Sequence, residues 1–483
     1  MFRLNCVLYQ LVVSVITIML ISVLNLEQNN ILMLCYSVNS AIVFLLLIKY
    51  EIQNYVGLNL NLVLLVGYFT RLVYPEVSMS LGVINGDIYS YVRPFNVVND
   101  YLFPTIVGIN IFYMFFYLVL SKRTSYIIID DYIKPYFLKY NIAKISFVFF
   151  LLGTFYNIAS LVLPYDTIPN TFARMLEKMV DLALLLQLLN TIYNYSKRNH
   201  RLLLFYIIYS VLFGIFFGFF KSGLIRPIAL YCLFYFLRCK SLGKTIFDQK
   251  FVFLLSFLCI FTTMFVYPFM TTKRVVAGYN VGIGKNIGAT KNYSNWAIIM
   301  DVVNGKVKNE DSNSNPALGR LNAITTNAFF YKSVAKEGGH YNHDILIQNM
   351  KMLIPRFLYP EKGVNSAGLM ANAYARTGSF KNYRSSKSNV YVGQFAGAYL
   401  NGGWLVVCLV MLISPFIISQ LYICCLNNIS NIFAVFFLAQ LLMASVFAFE
   451  EVHDGGIQRC FSYMVYIVFI IFTSRIIPPI KLY

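Results

Sequence analysis

Arg356 lies between two prolines in the stretch Met352-Leu353-Ile354-Pro355-Arg356-Phe357-Leu358-Tyr359-Pro360-Glu361-Lys362. Proline fixes its own backbone and restricts the residue before it, so this spacing holds the chain around the guanidinium. A fixed guanidinium is always charged and forks onto two oxygens at once, which suits it to clamp a diphosphate. Phe357 and Tyr359 offer aromatic faces beside it, suited to sugar rings or to a membrane interface. Further arginines stand at the edges of apolar runs, namely Arg71, Arg226, Arg274 and Arg459, and Arg320 shares the long polar stretch with Arg356. Taken singly, each also reads as a contact with lipid headgroups or water. As a set they point to an anionic ligand at a membrane surface.

Groups able to move a proton are few. His340, His343 and Asp344 fall in Gly338-Gly339-His340-Tyr341-Asn342-His343-Asp344, and His453 and Asp454 lie near the C-terminus. Histidine titrates near neutrality and suits general acid or base work. Asn342 or Asp344 reads equally as the N-cap of a following helix, with both histidines merely solvated. Glu450 and Glu451 stand at the end of an apolar run, where charge is costly, and read either as site residues or as a plain interfacial boundary. Downstream of Arg356, the segment Val392-Gly393-Gln394-Phe395-Ala396-Gly397-Ala398-Tyr399-Leu400-Asn401-Gly402-Gly403-Trp404 leads into an apolar run. Its glycines permit a close backbone approach to a ligand or helix.

The elements that must position these residues are membrane helices. Of the 483 residues, 58% are hydrophobic and 12% charged, whereas an ordinary soluble domain has about a quarter charged. The apolar runs are continuous and long, without the strict alternation of barrel strands, which selects helices. Runs near 6–26, 30–49, 55–73, 102–121, 143–163, 176–194, 202–220, 223–237, 250–270, 401–424, 430–449 and 459–477 predict about twelve spans, the short eighth one being the weakest. The first is long for a signal-peptide core and reads as a retained helix. The net charge of +19 sits mainly between these runs, so a nucleic-acid partner is not indicated. Placing the N-terminus inside puts Lys122/Arg123, Lys197/Arg198/Arg201 and Arg238/Lys240/Lys244 on the cytoplasmic face, as the positive-inside rule requires. Both termini are then cytoplasmic and the polar stretch is an extracytoplasmic loop. All nine cysteines lie in or beside apolar runs, which speaks against a disulfide framework or a zinc site. The expected organisation is an N-terminal bundle of about nine helices over 1–270. A large loop over 271–396 follows, with amphipathic helices at its far part, and then a bundle of about three helices over 397–483.

The order of an arginine-bearing loop, then I-P-R-F-L-Y-P-E-K, then A-Y-L-N-G-G-W opening a helix, resembles the O-antigen and exopolysaccharide polymerases of the Wzy type, relatives of the O-antigen ligases. The segment Gly218-Phe219-Phe220-Lys221-Ser222-Gly223-Leu224-Ile225-Arg226-Pro227 is similar to their glycine-rich basic connection. The resemblance implies an all-α, GT-C-like membrane glycosyltransferase in a bacterial cytoplasmic membrane. It would transfer glycan between undecaprenyl-diphosphate-linked oligosaccharides on the outer face. A chain-length regulator and a flippase would be its partners. No cofactor is implied, and no D-x-D-like metal pair is evident. On that reading Arg226, Arg274, Arg320, Arg356, His340 and His343 would be catalytic, with Arg71, Tyr359, Tyr399, Arg459 and Glu450 binding substrate. One departure stands out: Gly397 or Ala398 occupies the place where such proteins often carry an acid, so that role is absent or falls to another residue such as Glu361, Glu450 or Glu451. A flippase of lipid-linked oligosaccharide and an O-antigen ligase are the alternative readings.

Overall fold

A computed structural model describes residues 2–24, 30–54, 60–73, 76–77, 80–81, 99–124, 141–162, 179–216, 394–447 and 457–476, with single positions at 176, 227, 231, 261, 269, 300 and 328. The described segments are helical and contain no strand. In chain order the helices are α1 (Phe2–Leu24), α2 (Asn30–Asn54), α3 (Leu60–Tyr68, extended by a π-turn over Phe69–Val73), α4 (Asn99–Thr124) and α5 (Ile142–Val162). They continue with α6 (Met179–Tyr193), α7 (Lys197–Phe216), α8 (Gln394–Asn427), α9 (Ile432–Phe447) and α10 (Ile457–Ile476).

Among the described residues, five stretches are long and apolar enough to cross a membrane: Phe2–Leu24, Asn30–Gln53, Phe103–Thr124, Ile142–Ala159 and Gly402–Asn427. Their surfaces are inverted relative to a soluble helix. On α1 the buried residues are Val7, Gln10, Ser14, Thr17 and Ile21, spaced three or four apart along one face. The opposite face exposes Leu8, Val12, Val15, Ile16, Met19 and Val23. Polar groups turned inward and aliphatic groups outward is the pattern of a helix solvated by lipid. The described residues are therefore all-helical, in the pattern of a membrane protein.

The chain divides into two compact units, Met1–Ile129 with Asp311–Pro479, and Asp130–Glu310 with Ile480–Tyr483. In the first unit, side-chain contacts fix the helix directions. Arg3 meets Glu51 and Ser14 meets Tyr36, so α1 and α2 are antiparallel. Ser40 meets Asn110 and Tyr117 meets Glu51, so α2 and α4 run the same way. Tyr68 reaches Asn110 while Asn61 reaches Thr124, which sets α3 against α4. Phe395 packs on Phe112 and Arg123 lies over the Phe416 ring, so α8 follows the direction of α4. A tight turn reverses the chain into α9, and Asn431 to Thr473 with Phe437 on Tyr466 shows α10 running back along it. The start of α1 and the end of α10 consequently share one end of this unit. The starts of α4 and α10 and the end of α3 share the other, called here the far end, and the start of α8 points toward it.

In the second unit the helices with described bounds are α5, α6 and α7. Ser146 bonds Gln187, and Gln187 donates to the Asn199 carbonyl, so α5, α6 and α7 alternate in direction. Phe150 stacks on Tyr206 with ring centroids 4.2 Å apart, joining α5 to α7. Gly153 lets α5 and α6 touch backbone to backbone. A Cβ there would lie 2.6 Å from Val180 Cγ2 and 2.8 Å from the Val180 amide nitrogen. Gly153→Ala is expected to force the helices apart at a cost of about 1–3 kcal/mol, lowering the thermal unfolding midpoint of the detergent-purified protein. Adding Val180→Ala should recover only part of that loss, because the backbone nitrogen remains in the way.

Candidate functional site

Of the residues that the sequence marks for chemistry, Tyr399 is the one whose side chain is described. It lies in the first part of α8, just before the helix breaks. Gly402 and Gly403 depart from helical geometry, and Gly403 has φ 64°, a left-handed value that glycine adopts without steric cost. The break brings Trp404 edge-on against both Tyr399 and Phe395, with ring centroids 5.5 and 5.8 Å away. Phe395 in turn packs edge-on against Phe112 of α4 at 6.3 Å. Gly108 makes room for this cluster, since a Cβ at that position would stand 3.2 Å from Phe395 Cζ. Tyr399 is buried, while Trp404 is 48% exposed.

Arg71 falls in the π-turn that ends α3, and Arg459 in the first turn of α10. The helix directions place both backbones at the far end. Arg71, Tyr399 and Arg459 thus lie on helix halves that point to the same side of the first unit, with the start of α8 level with Gly108 and Phe112 in the middle of α4. Arg226, Arg274, Arg320, Arg356, His340, His343, Tyr359 and Glu450 lie outside the described residues, as do Asp344, Glu361, Glu451, His453 and Asp454. Among the described residues no three His, Cys, Asp or Glu side chains come together as a metal site.

Sequence reasoning missed two acids that the fold buries. Glu51, near the end of α2, is fully removed from solvent. Arg3 Nε lies 2.8 Å from its Oε1 and Arg3 Nη2 donates to its Oε2 at 3.1 Å, while the Tyr117 hydroxyl donates to Oε1. The Arg3 guanidinium also lies 5.1 Å from the Tyr50 ring centre. Glu76 lies in the segment between α3 and α4, outside the membrane-crossing stretches, and is equally buried. Both of its oxygens accept from Asn110 Nδ2, at 3.1 and 3.0 Å. Asn110 Oδ1 accepts from the hydroxyls of Ser40 and Tyr68 at 2.9 and 3.0 Å, gathering α2, α3 and α4 around one amide. Burial pushes the Glu76 carboxyl up to about 8, against the opposite pull of the Asn110 hydrogen bond. The available signal was an acid at the border of an apolar run, as in Ile48-Lys49-Tyr50-Glu51 and Val73-Tyr74-Pro75-Glu76, where a charge is costly unless it serves a purpose.

Residues 126–473 match the family described as "Domain of unknown function (DUF8712)", and the chain belongs to that family. The matched span begins just after α4, so α1–α4 with Glu51 and Glu76 precede it. No curated protein and no solved structure matches the chain.

The Arg3–Glu51 pair yields a direct test. Removing one partner of a buried ion pair leaves an uncompensated charge and costs about 3–5 kcal/mol. Glu51→Ala is expected to lower the unfolding midpoint more than the double change Arg3→Met with Glu51→Ala, which removes both charges together. A double-mutant loss equal to the sum of the Arg3→Met and Glu51→Ala single losses would mean that the pair contributes no coupling.

Proposed function

We propose that this protein is a membrane-embedded glycosyltransferase that joins undecaprenyl-diphosphate-linked oligosaccharide repeat units on the outer face of a bacterial cytoplasmic membrane. The observation that carries the reading is the form taken by Ala398-Tyr399-Leu400-Asn401-Gly402-Gly403-Trp404. The segment bearing the resemblance to Wzy-type polymerases is a helix broken at a left-handed glycine. It presents an aromatic cluster on a helix half that points to the same side of the unit as those of Arg71 and Arg459. Broken helices in membrane proteins line ligand cavities, because freed backbone groups are tolerated only where protein or water satisfies them. The far end is also opposite the end that holds the starts of α1 and the end of α10. That arrangement agrees with an even number of crossings, and the proposal takes them as about twelve, with both termini cytoplasmic and residues 271–396 outside.

In the proposed reaction a hydroxyl oxygen of the acceptor sugar attacks the anomeric carbon of the donor. The bond from that carbon to the diphosphate oxygen breaks, and its electron pair leaves with the undecaprenyl diphosphate. The hydroxyl proton passes to a base, for which His340 and His343 are the candidates. Arg226, Arg274, Arg320 and Arg356 would stabilise the charge that grows on the diphosphate, which needs fixed donors rather than a metal. Aromatic surface at Trp404, Tyr399 and Tyr359 would hold sugar rings.

A second reading, a flippase of the same lipid-linked oligosaccharide, draws support from the polar groups buried inside the bundle around Asn110 and Glu76, since buried polar groups among membrane helices often mark substrate or ion paths. Deleting the gene separates the readings. Surface lipid capped with a single repeat unit is the outcome expected of a polymerase. Loss of all surface glycan with repeat units trapped inside would replace this reading with the flippase, and long polymer accumulating on the carrier would replace it with the ligase. Within the polymerase reading, Arg356→Lys keeps the charge but loses the bidentate fork. Polymer synthesis from lipid-linked repeat units is expected to fall about tenfold or more, the cost of one lost charge-assisted bond at the transition state. Undiminished synthesis would remove Arg356 from the diphosphate clamp.

A further inference from the structure

The two buried acids are held in different ways. Glu51 receives a guanidinium through two nitrogens and a phenolic hydroxyl, which is what an ionised carboxylate needs once water is gone. Glu76 receives a single amide group. The orientation of Asn110 is fixed by its surroundings, since Nδ2 also donates to the Ile106 carbonyl at 3.1 Å, an oxygen that can only accept. One N–H is therefore committed to Ile106, and the other is shared between the two Glu76 oxygens. Ser80 does not add a donor to the carboxyl, because its hydroxyl turns to the Glu76 backbone carbonyl at 2.8 Å.

The groups around Glu76 are neutral on every described side. Tyr36 from α2 and Tyr68 from α3 feel its charge, and Tyr113 of α4 stands beside Tyr68 with ring centroids 4.5 Å apart. From α1 the network takes Ser14, which bonds Tyr36 at 2.8 Å, and Gln10, which accepts from Asn39. No Lys, Arg or His side chain faces Glu76 among the described residues. A bare carboxylate in such a place is far less stable than the neutral acid, and half an amide does not offset the loss of hydration.

We propose that Glu76 is a proton-binding site that carries a proton in the folded protein at neutral pH. The ligand is a hydrogen ion, and the site is built by Asn110, Ser40, Tyr68 and Tyr36 at the far part of the first unit. It does not depend on the glycan reading, because it concerns the bundle and not the arginines. The upward shift to about 8 agrees with it in direction. The sign follows: Glu76 holds its proton below about 8. The unfolded chain gives up this proton near 4.5, so the fold loses stability as pH rises from there toward about 8, and the loss levels off once Glu76 ionises in place.

Infrared spectroscopy of the purified full-length protein in lipid nanodiscs tests this. With 13C-labelled glutamate, a protonated glutamic-acid carbonyl band is expected at about pH 6 and should fade by about pH 9. Glu76→Gln, close in shape, should abolish the band. Its persistence in that variant, or its absence from the folded wild type at about pH 6, would overturn the proposal by showing that Glu76 is ionised. If Glu76→Gln does not fold, the wild-type difference spectrum between the two pH values decides alone. A band lost on alkalinisation supports the site, and no such band sinks it.

Discussion

Hydrocarbon offers no hydrogen bonds, so a polar side chain drawn into a membrane bundle must find its partner inside the protein. Asn110 meets that constraint for four segments at once. Its oxygen takes hydroxyls from α2 and α3, and its nitrogen serves Glu76 and the backbone of α4. Helices in lipid gain little from burying aliphatic surface against one another, because lipid tails solvate that surface equally well. What fixes the register of α1–α4 is therefore the set of polar matches. Asn110 supplies the central one, with Ser14 to Tyr36 and Thr124 to Asn61 on either side of it along the bundle. Each match specifies a single vertical alignment, and slipping one helix by a turn would leave several donors and acceptors unpaired.

From that alignment the ends follow. Once α4 is set, Gly108 presents a notch in which Phe395 lies, and α8 is placed by it. The break at Gly402 and Gly403 then turns Trp404 back onto Phe395 and Tyr399 instead of letting the helix continue straight. α10 joins through Asn431, whose amide reaches Thr473 at 2.7 Å. The positions of Arg71, Tyr399 and Arg459 toward one side are thus consequences of polar and aromatic matches some distance away from them.

The sequence made the helices legible because lipid demands long unbroken apolar runs, and such runs stand out without any partner information. Phe2–Leu24 and Gly402–Asn427 sit where their hydropathy puts them, within a few residues. The glycine pair was legible as a place of close backbone approach, whereas the break that it makes in the helix was not. Glu51, Glu76 and Asn110 were not. An acid beside a run of leucines has the same local appearance whether it faces headgroups or the interior. Only the packing of α1 on α2, and of α2 and α3 on α4, decides which. The arginines pose the reverse problem: their type and flanking prolines declare a chemistry, while the companions they meet depend on how distant segments close over one another.

The same packing bears on whether the protein moves its substrate or acts on it at one face. A carrier for a large polar glycan has to open a wet route from end to end. The described interior instead carries two polar groups, one at mid-helix and one toward the end of α2 and α4, with an aromatic layer between them. Glu51, Arg3 and Tyr117 form one polar group, and Asn110, Glu76 and Ser40 form the other. Between them Phe44, Tyr68 and Tyr113 stack in a layer with successive ring centroids 4.5 Å apart. Phe112 and Phe116 extend that layer along α4. An aromatic layer of this kind is closely packed and excludes water. To transport a sugar through this unit would mean separating rings that are also held by the Tyr68–Asn110 bond, and so breaking the register of α2, α3 and α4 together. Chemistry at the far end asks for none of this. The aromatic cluster of α8 packs onto that layer through Phe395 and Phe112, so the proposed surface transfer would leave the layer closed while the alternative carrier would have to part it.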